Sequence, residues 1–248
     1  MQEMLNHAYR NATKRLFLLD YDGTLVDLMP TPPEAVPTKE LRIILSRLAA
    51  DPENTVVIVT GRPHETLQEW LGDLPLSFAA EHGFLIRDKD GDWQPSIHLD
   101  DSWKPEVRTI MQKLVDEVPA SILEEKENAL AWHCRAVVDR ERAPLEQAAL
   151  VERLHPLAER LGLRIINGDN VIEVQPNGIS KGIAAKRWLD QGGWDFVLAA
   201  GDDTTDEDLL KAIPEDGFTV KVRPGESVAK LRAATPADML RLLDNLPA

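Results

Sequence analysis

Four short apolar runs that each end abruptly in polar residues constrain the fold of this chain more than any other feature. Their sequences are LFLLD (residues 16–20), TVVIVTGR (55–62), LSFAAEHG (76–83) and FVLAAGDD (196–203). Unbroken aliphatic runs of this length are typical of strands that are covered on both faces, as in a parallel sheet. We therefore predict that these runs form neighbouring parallel strands.

Segments with helical periodicity lie between these runs, at residues 38–51, 65–72 and 179–193. Strands that alternate with helices predict an α/β fold with an open, Rossmann-like parallel sheet. In such sheets ligands bind beyond the carboxyl ends of the strands, and the polar residues that follow the four runs all fall there. We expect the functional site at that edge.

The middle of the chain follows a different pattern. Residues 103–119 and 143–162 are predicted as helices, and each is followed by two short strand-like segments. This αββαββ order predicts a small α+β unit inserted into the α/β pattern. We therefore divide the chain into a core of residues 1–102 and 177–248 and an inserted unit of residues 103–176.

Charge and composition exclude several classes of partner. The 248 residues carry a formal net charge of -14, so nucleic acid and anionic membranes would repel the chain, whereas a small anionic substrate needs only local positive charge or a metal ion. The apolar runs are too short to cross a bilayer, and the N-terminus lacks the apolar stretch of a secretory signal. A single cysteine, Cys134, indicates a reducing compartment, and we predict a cytoplasmic protein.

The segment DYDGTL directs two aspartates toward one place. Because residues i and i+2 of a strand point to the same side, Asp20 and Asp22 face one site where the first strand ends. Two carboxylates this close repel each other unless a cation lies between them, and Mg²⁺ is a cation that suits oxygen ligands. A plain Asp-Gly turn is the alternative interpretation of this segment.

The segment GDDTTDED gathers further carboxylates after the fourth run. Asp206, Glu207 and Asp208 have an alternative explanation as acidic residues in the first turn of a helix, where they complement the helix dipole. That explanation does not account for Asp202 and Asp203, which add negative charge just before the helix begins. A metal ion shared with the first aspartate pair accounts for them better.

Lys181 and the segment VTGR supply groups that bind an anion. A lysine in the first turn of a helix opposes the helix dipole unless an anion is bound there. Thr60 ends a buried strand, where its hydroxyl and the following backbone amide, that of Gly61, are suited to hold a phosphate oxygen. Taken singly, Lys181 also fits a solvated surface lysine, and Thr60 also fits a strand cap.

Together these groups favour phosphoryl transfer through a covalent aspartyl-phosphate. An aspartate attacks phosphorus only if the negative charges of both partners are masked, and a metal ion together with a lysine would mask them. The sequence therefore predicts that the charged strand ends are a reaction centre.

In order and context, DYDGTL, TGR, Lys181 and GDDTTDED resemble the four signature motifs of the haloacid dehalogenase superfamily of phosphohydrolases. The segments NTVVIVTGRPHETLQEWLG, AEHGFLIR, EEKENALAWHCR and VIEVQPNGISKG further resemble the trehalose-6-phosphate phosphatases, including the phosphatase halves of two-domain trehalose enzymes. The resemblance extends from about residue 15 to about residue 222. Gln175 and Asp169 depart from it, because many members of this family carry basic residues at these positions.

The resemblance implies a core of the haloacid dehalogenase type with an inserted α+β cap, and Mg²⁺-dependent hydrolysis of trehalose 6-phosphate. Asp20 would be the nucleophile, and Asp22 the general acid and then the general base. Thr60, Gly61 and Lys181 would hold the phosphoryl oxygens. The implied metal ligands are Asp20, Asp22 through its backbone carbonyl, Asp202, Asp203 and Asp206.

The resemblance also implies how the sugar is bound. The cap would close over the sugar and exclude water. The implied substrate-binding residues of the cap are Glu124, Lys126, Arg135 and Glu173, and those near the core motifs are Arg62, Glu81 and His82. The likeness to two-domain trehalose enzymes further implies an association with a trehalose-6-phosphate synthase.

Three alternatives stay open. The same chemistry would suit glucosylglycerol phosphate, mannosyl-3-phosphoglycerate or sucrose phosphate. A receiver-like regulatory domain would also store phosphate on an aspartate, but such domains are much shorter and lack an inserted unit. An inactive partner subunit of a trehalose-synthesising complex would not need the intact set Asp20, Asp22, Lys181 and Asp202.

Overall fold

The computed structural model describes residues 1–96, 101–126 and 128–247, which belong to two compact units. The first unit consists of Met1–Met29, Pro33–Ser96 and Ser180–Ala248, and the second of Pro30–Pro32 and Ile97–Ile179. The predicted insert, residues 103–176, lies within the second unit.

Helices and strands alternate along most of the chain. In chain order they are α1 (Gln2–Asn11), β1 (Arg15–Leu19), α2 (Lys39–Ala50), β2 (Asn54–Val59), α3 (His64–Leu71), β3 (Ser77–Ala80), β4 (Leu85–Arg87), β5 (Gln94–Pro95), α4 (Lys104–Glu117), β6 (Ile122–Glu125), β7 (Leu130–His133), α5 (Arg142–Leu161), β8 (Leu163–Gly168), β9 (Val171–Pro176), α6 (Lys181–Leu189), β10 (Phe196–Gly201), α7 (Asp206–Ala212), β11 (Phe218–Val222), β12 (Leu231–Ala233) and α8 (Pro236–Asp244). None of the described helices combines the length and the apolar composition that a membrane-spanning helix needs.

The first unit is built around a sheet that is buried on both faces. Over the described residues this sheet has eight strands in the order β12-β11-β10-β1-β2-β3-β4-β5. Every residue of β1 is buried, because Leu16 and Leu18 pack in one cluster with Trp188 of α6 on one face. On the opposite face, the ring of Tyr9 from α1 packs against Phe17 at 6.2 Å between centroids. The continuous apolar pattern of the strand follows from this two-sided covering.

The predicted α/β fold and its four parallel strands are confirmed. The strands from β12 to β3 pair in parallel, as the prediction requires. The sheet is nevertheless mostly rather than wholly parallel, because β4 and β5 join it in antiparallel orientation. The two residues of β5 are exposed, so they lack the apolar pattern that identified the inner strands.

The second unit confirms the predicted αββαββ order. Its antiparallel sheet has the order β6-β7-β9-β8. Alternate strand residues project from one face into an apolar cluster with α4 and α5, and these are Leu130, Trp132, Ile172 and Val174. Glu124, His133 and Glu173 occupy the alternating positions, so they project from the other face of the sheet.

Candidate active site

Four neighbouring strands deliver polar residues to one edge of the first sheet. β10, β1, β2 and β3 lie side by side in parallel, and they end directly before Asp202, Asp20, Thr60 and Glu81, respectively. Because the carboxyl ends of parallel strands meet at the same edge of a sheet, residues far apart in the chain come together there.

Asp20 is buried and is held by two side chains. Lys181 Nζ donates to Asp20 Oδ1 at 2.6 Å, and Thr24 Oγ1 donates to Asp20 Oδ2 at 2.8 Å. Lys181 Nζ also donates to Asp206 Oδ1 at 2.7 Å, so one buried ammonium bridges two buried carboxylates. Burial would lower the pKa of Lys181, but the charges of Asp20 and Asp206 outweigh it and raise that pKa above its ordinary value. The ammonium therefore stays charged.

The position of Lys181 follows from the start of α6. Ser180 is the N-cap, and its Oγ accepts a hydrogen bond from the amide of Ile183 at 3.2 Å. Lys181 is thereby fixed as the first helical residue, where a cation opposes the helix dipole. The two carboxylates that flank its ammonium explain why a lysine is tolerated there.

Asp20, Asp202 and Asp206 form a three-carboxylate group. Among the described residues, one oxygen atom from each of them lies within 4.8 Å of the other two. Burial raises the pKa of Asp20 above its ordinary value and that of Asp202 to about 6, and the charge of Asp206 adds to both effects. Crowded carboxylate oxygens are the donors that a hard divalent cation prefers, and a cation would relieve their repulsion. The donor set therefore fits a metal ion.

Asp206 also shapes the loop that carries Asp202. Its Oδ2 accepts hydrogen bonds from the amides of Asp202 and Asp203, at 2.9 Å and 3.0 Å. The carboxylate of Asp203 instead accepts from Thr204 N at 2.5 Å and Thr204 Oγ1 at 3.1 Å. Within the described part of the chain, Asp203 lies outside the three-carboxylate group, and its role as a metal ligand stays a prediction.

Gly23 makes room for the carboxylate of Asp202. Its φ is +76°, and a Cβ at this position would lie 2.2 Å from Asp202 Oδ2 and 2.6 Å from Oδ1. The glycine of the DYDGTL segment is thus needed both for its left-handed backbone and for the absence of a side chain. It allows the turn after β1 to meet the loop after β10.

Asp22 pairs with a second cation, Arg62. The guanidinium donates from Nε to Asp22 Oδ2 at 2.7 Å and from Nη2 to Oδ1 at 2.6 Å, which is a bidentate pair. The guanidinium also lies 4.7 Å from the ring centroid of Trp70. Among the described residues, the Asp22 carboxylate lies outside the three-carboxylate group. The structure thus brings Arg62 to the predicted general acid.

The residues after β2 and β3 adopt a tight arrangement. Thr60 is buried, and its Oγ1 accepts a hydrogen bond from the amide of Arg62 at 3.2 Å. A Cβ on Gly61 would lie 2.6 Å from His82 Nε2, so the imidazole packs directly over this glycine. Glu81 and His82 have φ values of 49° and 57°, which non-glycine residues rarely adopt. Non-glycine residues with such backbone angles cluster at active sites and ligand-binding sites.

Two basic residues that the sequence analysis did not single out contact Asp202. Lys221 Nζ donates to the backbone oxygen of Asp202, and Arg223 Nη1 donates to Asp202 Oδ2 at 3.1 Å. Lys221 lies within β11 and is buried, although lysine is almost never buried without a partner. A lysine inside an apolar strand pattern was therefore a usable signal, whereas Arg223 gave none.

The second unit brings three of its predicted substrate-binding residues together. Glu124 and Glu173 share one row of the sheet, since both pair in register with Ala131 of β7. Lys126 Nζ pairs with Glu173 Oε2 at 2.5 Å, and both side chains are buried. His133 Nε2 contacts Glu124 Oε2 at 2.7 Å. Burial raises the pKa of Glu124, but His133 and Lys126 outweigh it and hold that pKa below its ordinary value.

Arg135, the fourth predicted residue of this unit, is engaged elsewhere. Its Nη2 donates to the backbone oxygen of Asp169 at 3.1 Å and to Asp169 Oδ2 at 3.2 Å. Gln175, which stands at one of the two departures from the resemblance, is fully buried and donates from Nε2 to the backbone oxygen of Ile179 at 3.0 Å. Binding of a sugar by any of these side chains stays a prediction.

Comparison with known proteins identifies relatives over almost the whole chain. The sequence model of the trehalose-phosphatase family matches residues 18–238. A bifunctional trehalose-6-phosphate synthase/phosphatase from Thermoproteus tenax is 42% identical over 247 residues, which cover 98% of this chain and 33% of that protein. The chain spans about a third of the length of the first curated relatives that it matches.

Solved structures agree with this match. The C-terminal domain of a trehalose-6-phosphate phosphatase from C. albicans superposes with a TM-score of 0.92 at 29% identity, over 98% of this chain and 94% of that one. A haloacid dehalogenase-like hydrolase from B. subtilis, 16% identical, has the same fold at a TM-score of 0.65, over 94% of this chain and 99% of that one.

Proposed function

The chain belongs to the trehalose-phosphatase family, and on this basis we propose that it is a Mg²⁺-dependent phosphatase that hydrolyses trehalose 6-phosphate to trehalose and phosphate. The reaction would proceed through an aspartyl-phosphate on Asp20. The observation that carries the proposal is the contact of one buried ammonium, that of Lys181, with Asp20 and Asp206, beside a third carboxylate from Asp202.

The three-carboxylate group is the proposed Mg²⁺ site. Asp20 and Asp202 would ligate the ion through side-chain oxygens, Asp22 through its backbone carbonyl, and Asp203 and Asp206 directly or through water. When bound, Mg²⁺ neutralises charge on the carboxylates and on the phosphoryl oxygens, which lets two anions approach each other. Lys181 supplies a further positive charge at the same place, and Thr60 and the amide of Gly61 supply hydrogen-bond donors for the phosphoryl oxygens.

In the first step, a carboxylate oxygen of Asp20 attacks phosphorus while the bond from phosphorus to the sugar oxygen breaks. The protonated carboxyl of Asp22 gives its proton to that oxygen, so the sugar leaves as a neutral alcohol. Thr24 and Lys181 fix the orientation of Asp20 for this attack through their hydrogen bonds to its two oxygens.

In the second step, the ionised carboxylate of Asp22 takes a proton from water, and the water oxygen attacks phosphorus. The bond from phosphorus to Asp20 breaks, and phosphate leaves with both carboxyl groups restored. The bidentate contact of Arg62 suits this ionised form of Asp22. This contact should weaken when Asp22 carries the proton, because a neutral carboxyl is a poorer hydrogen-bond acceptor than a carboxylate.

We assign the sugar to side chains of the second unit and to three residues near the core motifs. The proposed sugar-binding residues are Glu124, Lys126, Arg135, Glu173, Arg62, Glu81 and His82. Carboxylates accept hydrogen bonds and ammonium and guanidinium groups donate them, so these side chains can bind sugar hydroxyls. We also propose an association with a trehalose-6-phosphate synthase, because the Thermoproteus tenax relative is named for both activities. The lone cysteine supports a cytoplasmic location.

A phosphate-release assay over a substrate panel tests the proposed function. The panel holds trehalose 6-phosphate, glucosylglycerol phosphate, mannosyl-3-phosphoglycerate and sucrose phosphate, each with Mg²⁺ and with EDTA. We expect the highest kcat/KM for trehalose 6-phosphate, loss of turnover in EDTA and recovery with Mg²⁺. Equal rates on all four substrates would contradict the assigned sugar, and full activity in EDTA would contradict the metal site.

The Asp20→Asn variant tests the chemistry separately from the substrate. We expect it to fold and to lose phosphate release, because an amide cannot form the acyl-phosphate. Asp216→Asn, at an exposed turn, is the matched control and should keep the parent rate. Near-normal turnover by the Asp20→Asn variant would rule out the covalent route.

A further inference from the structure

The three carboxylates of the candidate site pair with different basic side chains. Lys181 Nζ pairs with two of them, at 2.6 Å from Asp20 Oδ1 and 2.7 Å from Asp206 Oδ1. Asp202 receives a cation of its own, because Arg223 Nη1 lies 3.1 Å from its Oδ2. The side chain of Asp202 is 6% exposed and that of Arg223 is 44% exposed, so a buried carboxylate pairs with a guanidinium that is partly exposed to solvent.

The backbone at Arg223 is held in a conformation that arginine rarely adopts. Its φ is +66°, in the left-handed region that favours glycine. The amide of Arg223 donates to the backbone oxygen of Ala233 at 2.9 Å, which fixes the end of β11 beside β12. Non-glycine residues persist in this region where the surroundings impose it, and such positions cluster at functional sites.

Asp202 would keep its place without Arg223. Its amide donates to Asp206 Oδ2 at 2.9 Å, and its backbone oxygen accepts from the buried Lys221. Its carboxylate also fills the space that a Cβ of Gly23 would occupy. These contacts orient Asp202 independently of Arg223, so the main effect of the guanidinium is electrostatic.

From these contacts we infer that Arg223 is an internal counter-ion of Asp202 that weakens divalent-cation binding at the three-carboxylate group. This inference rests on the proposed metal site and is independent of the sugar that the protein accepts. In the metal-free protein the guanidinium stabilises Asp202, and an incoming cation must either displace it or bind next to its positive charge. Both effects lower the affinity for the cation, because an interaction that stabilises only the metal-free state makes the free energy of metal binding less favourable.

Titration calorimetry with Mg²⁺ and no substrate tests the inference. The informative variant is Arg223→Gly, because it removes the guanidinium and at the same time suits the left-handed backbone, so it should fold. We expect it to bind Mg²⁺ roughly two- to fivefold more tightly than the parent, which is the range expected for a half-exposed ion pair. The rise in melting temperature on adding Mg²⁺ should be larger as well.

Two controls separate local charge from other effects. Arg223→Lys keeps a positive charge at the same place and should bind Mg²⁺ like the parent protein. Arg187→Ala removes a cation that pairs with Asp88 at the surface, so it changes net charge equally but should leave Mg²⁺ affinity unchanged. Equal or weaker Mg²⁺ binding by the Arg223→Gly variant would overturn the inference alone. Absence of Mg²⁺ binding by the parent protein would overturn it together with the proposed metal site.

Discussion

The absence of a side chain at Gly23 allows the carboxylate of Asp202 to lie beside the turn after β1. The turn after β1 approaches the loop after β10 so closely that the Asp202 carboxylate occupies the position of a Cβ. The sequence indicated an Asp-Gly turn at this position, whereas the structure shows that the turn must also leave room for a side chain of the same protein. That difference was beyond sequence reasoning, because the partner lies 179 positions further along the chain.

The Gly23→Ala variant should lose both Mg²⁺ binding and phosphate release. Its Cβ would force Asp202 away from Asp20 and Asp206, since a separation of 2.2 Å is not tolerated. Gly162→Ala is the matched control, because Gly162 has a φ of +66° and a Cβ there would meet nothing within 4 Å. Both variants should lose about 1 kcal/mol of stability from backbone strain, and Gly23→Ala should lose more because of the steric overlap with Asp202. Only Gly23→Ala should lose function, as measured by calorimetry and phosphate release, and equal activity of the two would contradict this account.

Individual residues differed in how readily the sequence revealed them. Asp20 and Lys181 were predictable because each breaks a local pattern: a charge at the end of an apolar strand, and a cation at a helix N-terminus. Arg223 breaks no pattern, since an arginine after a strand is ordinary. Its φ of +66° and its contact with Asp202 are both set by the tertiary structure, which the sequence does not encode in any simple way.

At the scale of elements, the start of α6 couples helix stability to the position of a functional group. Ser180 caps the helix and Lys181 follows immediately, so any fraying of the first turn moves the ammonium. α2 begins in a comparable way, with Thr38 accepting a hydrogen bond from the amide of Leu41 at 3.1 Å. The two helices therefore form a matched pair for separating stability from function.

Replacing either cap by alanine should lower the free energy of unfolding by about 1 kcal/mol. Ser180→Ala should in addition lower kcat at least severalfold, because Lys181 loses its fixed position beside Asp20. Thr38→Ala should leave kcat unchanged. Urea unfolding and steady-state kinetics measure the two effects, and an unchanged kcat in the Ser180→Ala variant would contradict the positioning role of this cap.

The sheet of the second unit carries a buried ion pair whose two partners depend on each other. Lys126 and Glu173 have side chains that are each 6% exposed. Removing one partner of such a pair leaves a buried charge, whereas removing both with apolar residues is often nearly neutral. The stability of this element should therefore respond non-additively to substitution.

We expect Lys126→Met and Glu173→Leu each to lower the free energy of unfolding by about 3 kcal/mol. The double variant should lose clearly less than the sum of the two, with a coupling energy of about 1–3 kcal/mol. Urea denaturation of the parent, both single variants and the double variant gives this value. Additive losses would contradict the pairing.

For the whole molecule, the elements with strong apolar patterns were predictable and those at the margins were not. β1, β2, β3 and β10 are buried on both faces, which produces the continuous runs that identified them. β5 and β12 are two and three residues long and partly or fully exposed, so pairing rather than composition makes them strands. Their place in the sheet is set by tertiary contacts that a local pattern does not contain.

The position of the candidate site was predictable because the carboxyl ends of parallel strands lie at the same edge of a sheet. Once the four strands are neighbours, Asp20, Thr60 and Asp202 must meet at one edge, whatever their distance in sequence. The assignment of cations was less predictable, since the sequence did not indicate the bidentate contact of Arg62 with Asp22. Binding of substrate by Arg62 stays a prediction. Hydrogen-bond partners of long flexible side chains depend on packing at the scale of the whole fold.

The most direct test of the account is to capture the phosphoryl group on the protein. The Asp22→Asn variant lacks both the acid that protonates the sugar oxygen and the base that activates water, so it should form the acyl-phosphate slowly and hydrolyse it slowly enough for it to accumulate. After mixing with trehalose 6-phosphate and Mg²⁺ and quenching in acid, mass spectrometry of the digested protein should find one added phosphoryl group on Asp20. A phosphoryl group on any other residue, or phosphate release by this variant with no phosphorylated protein at any time, would contradict the account.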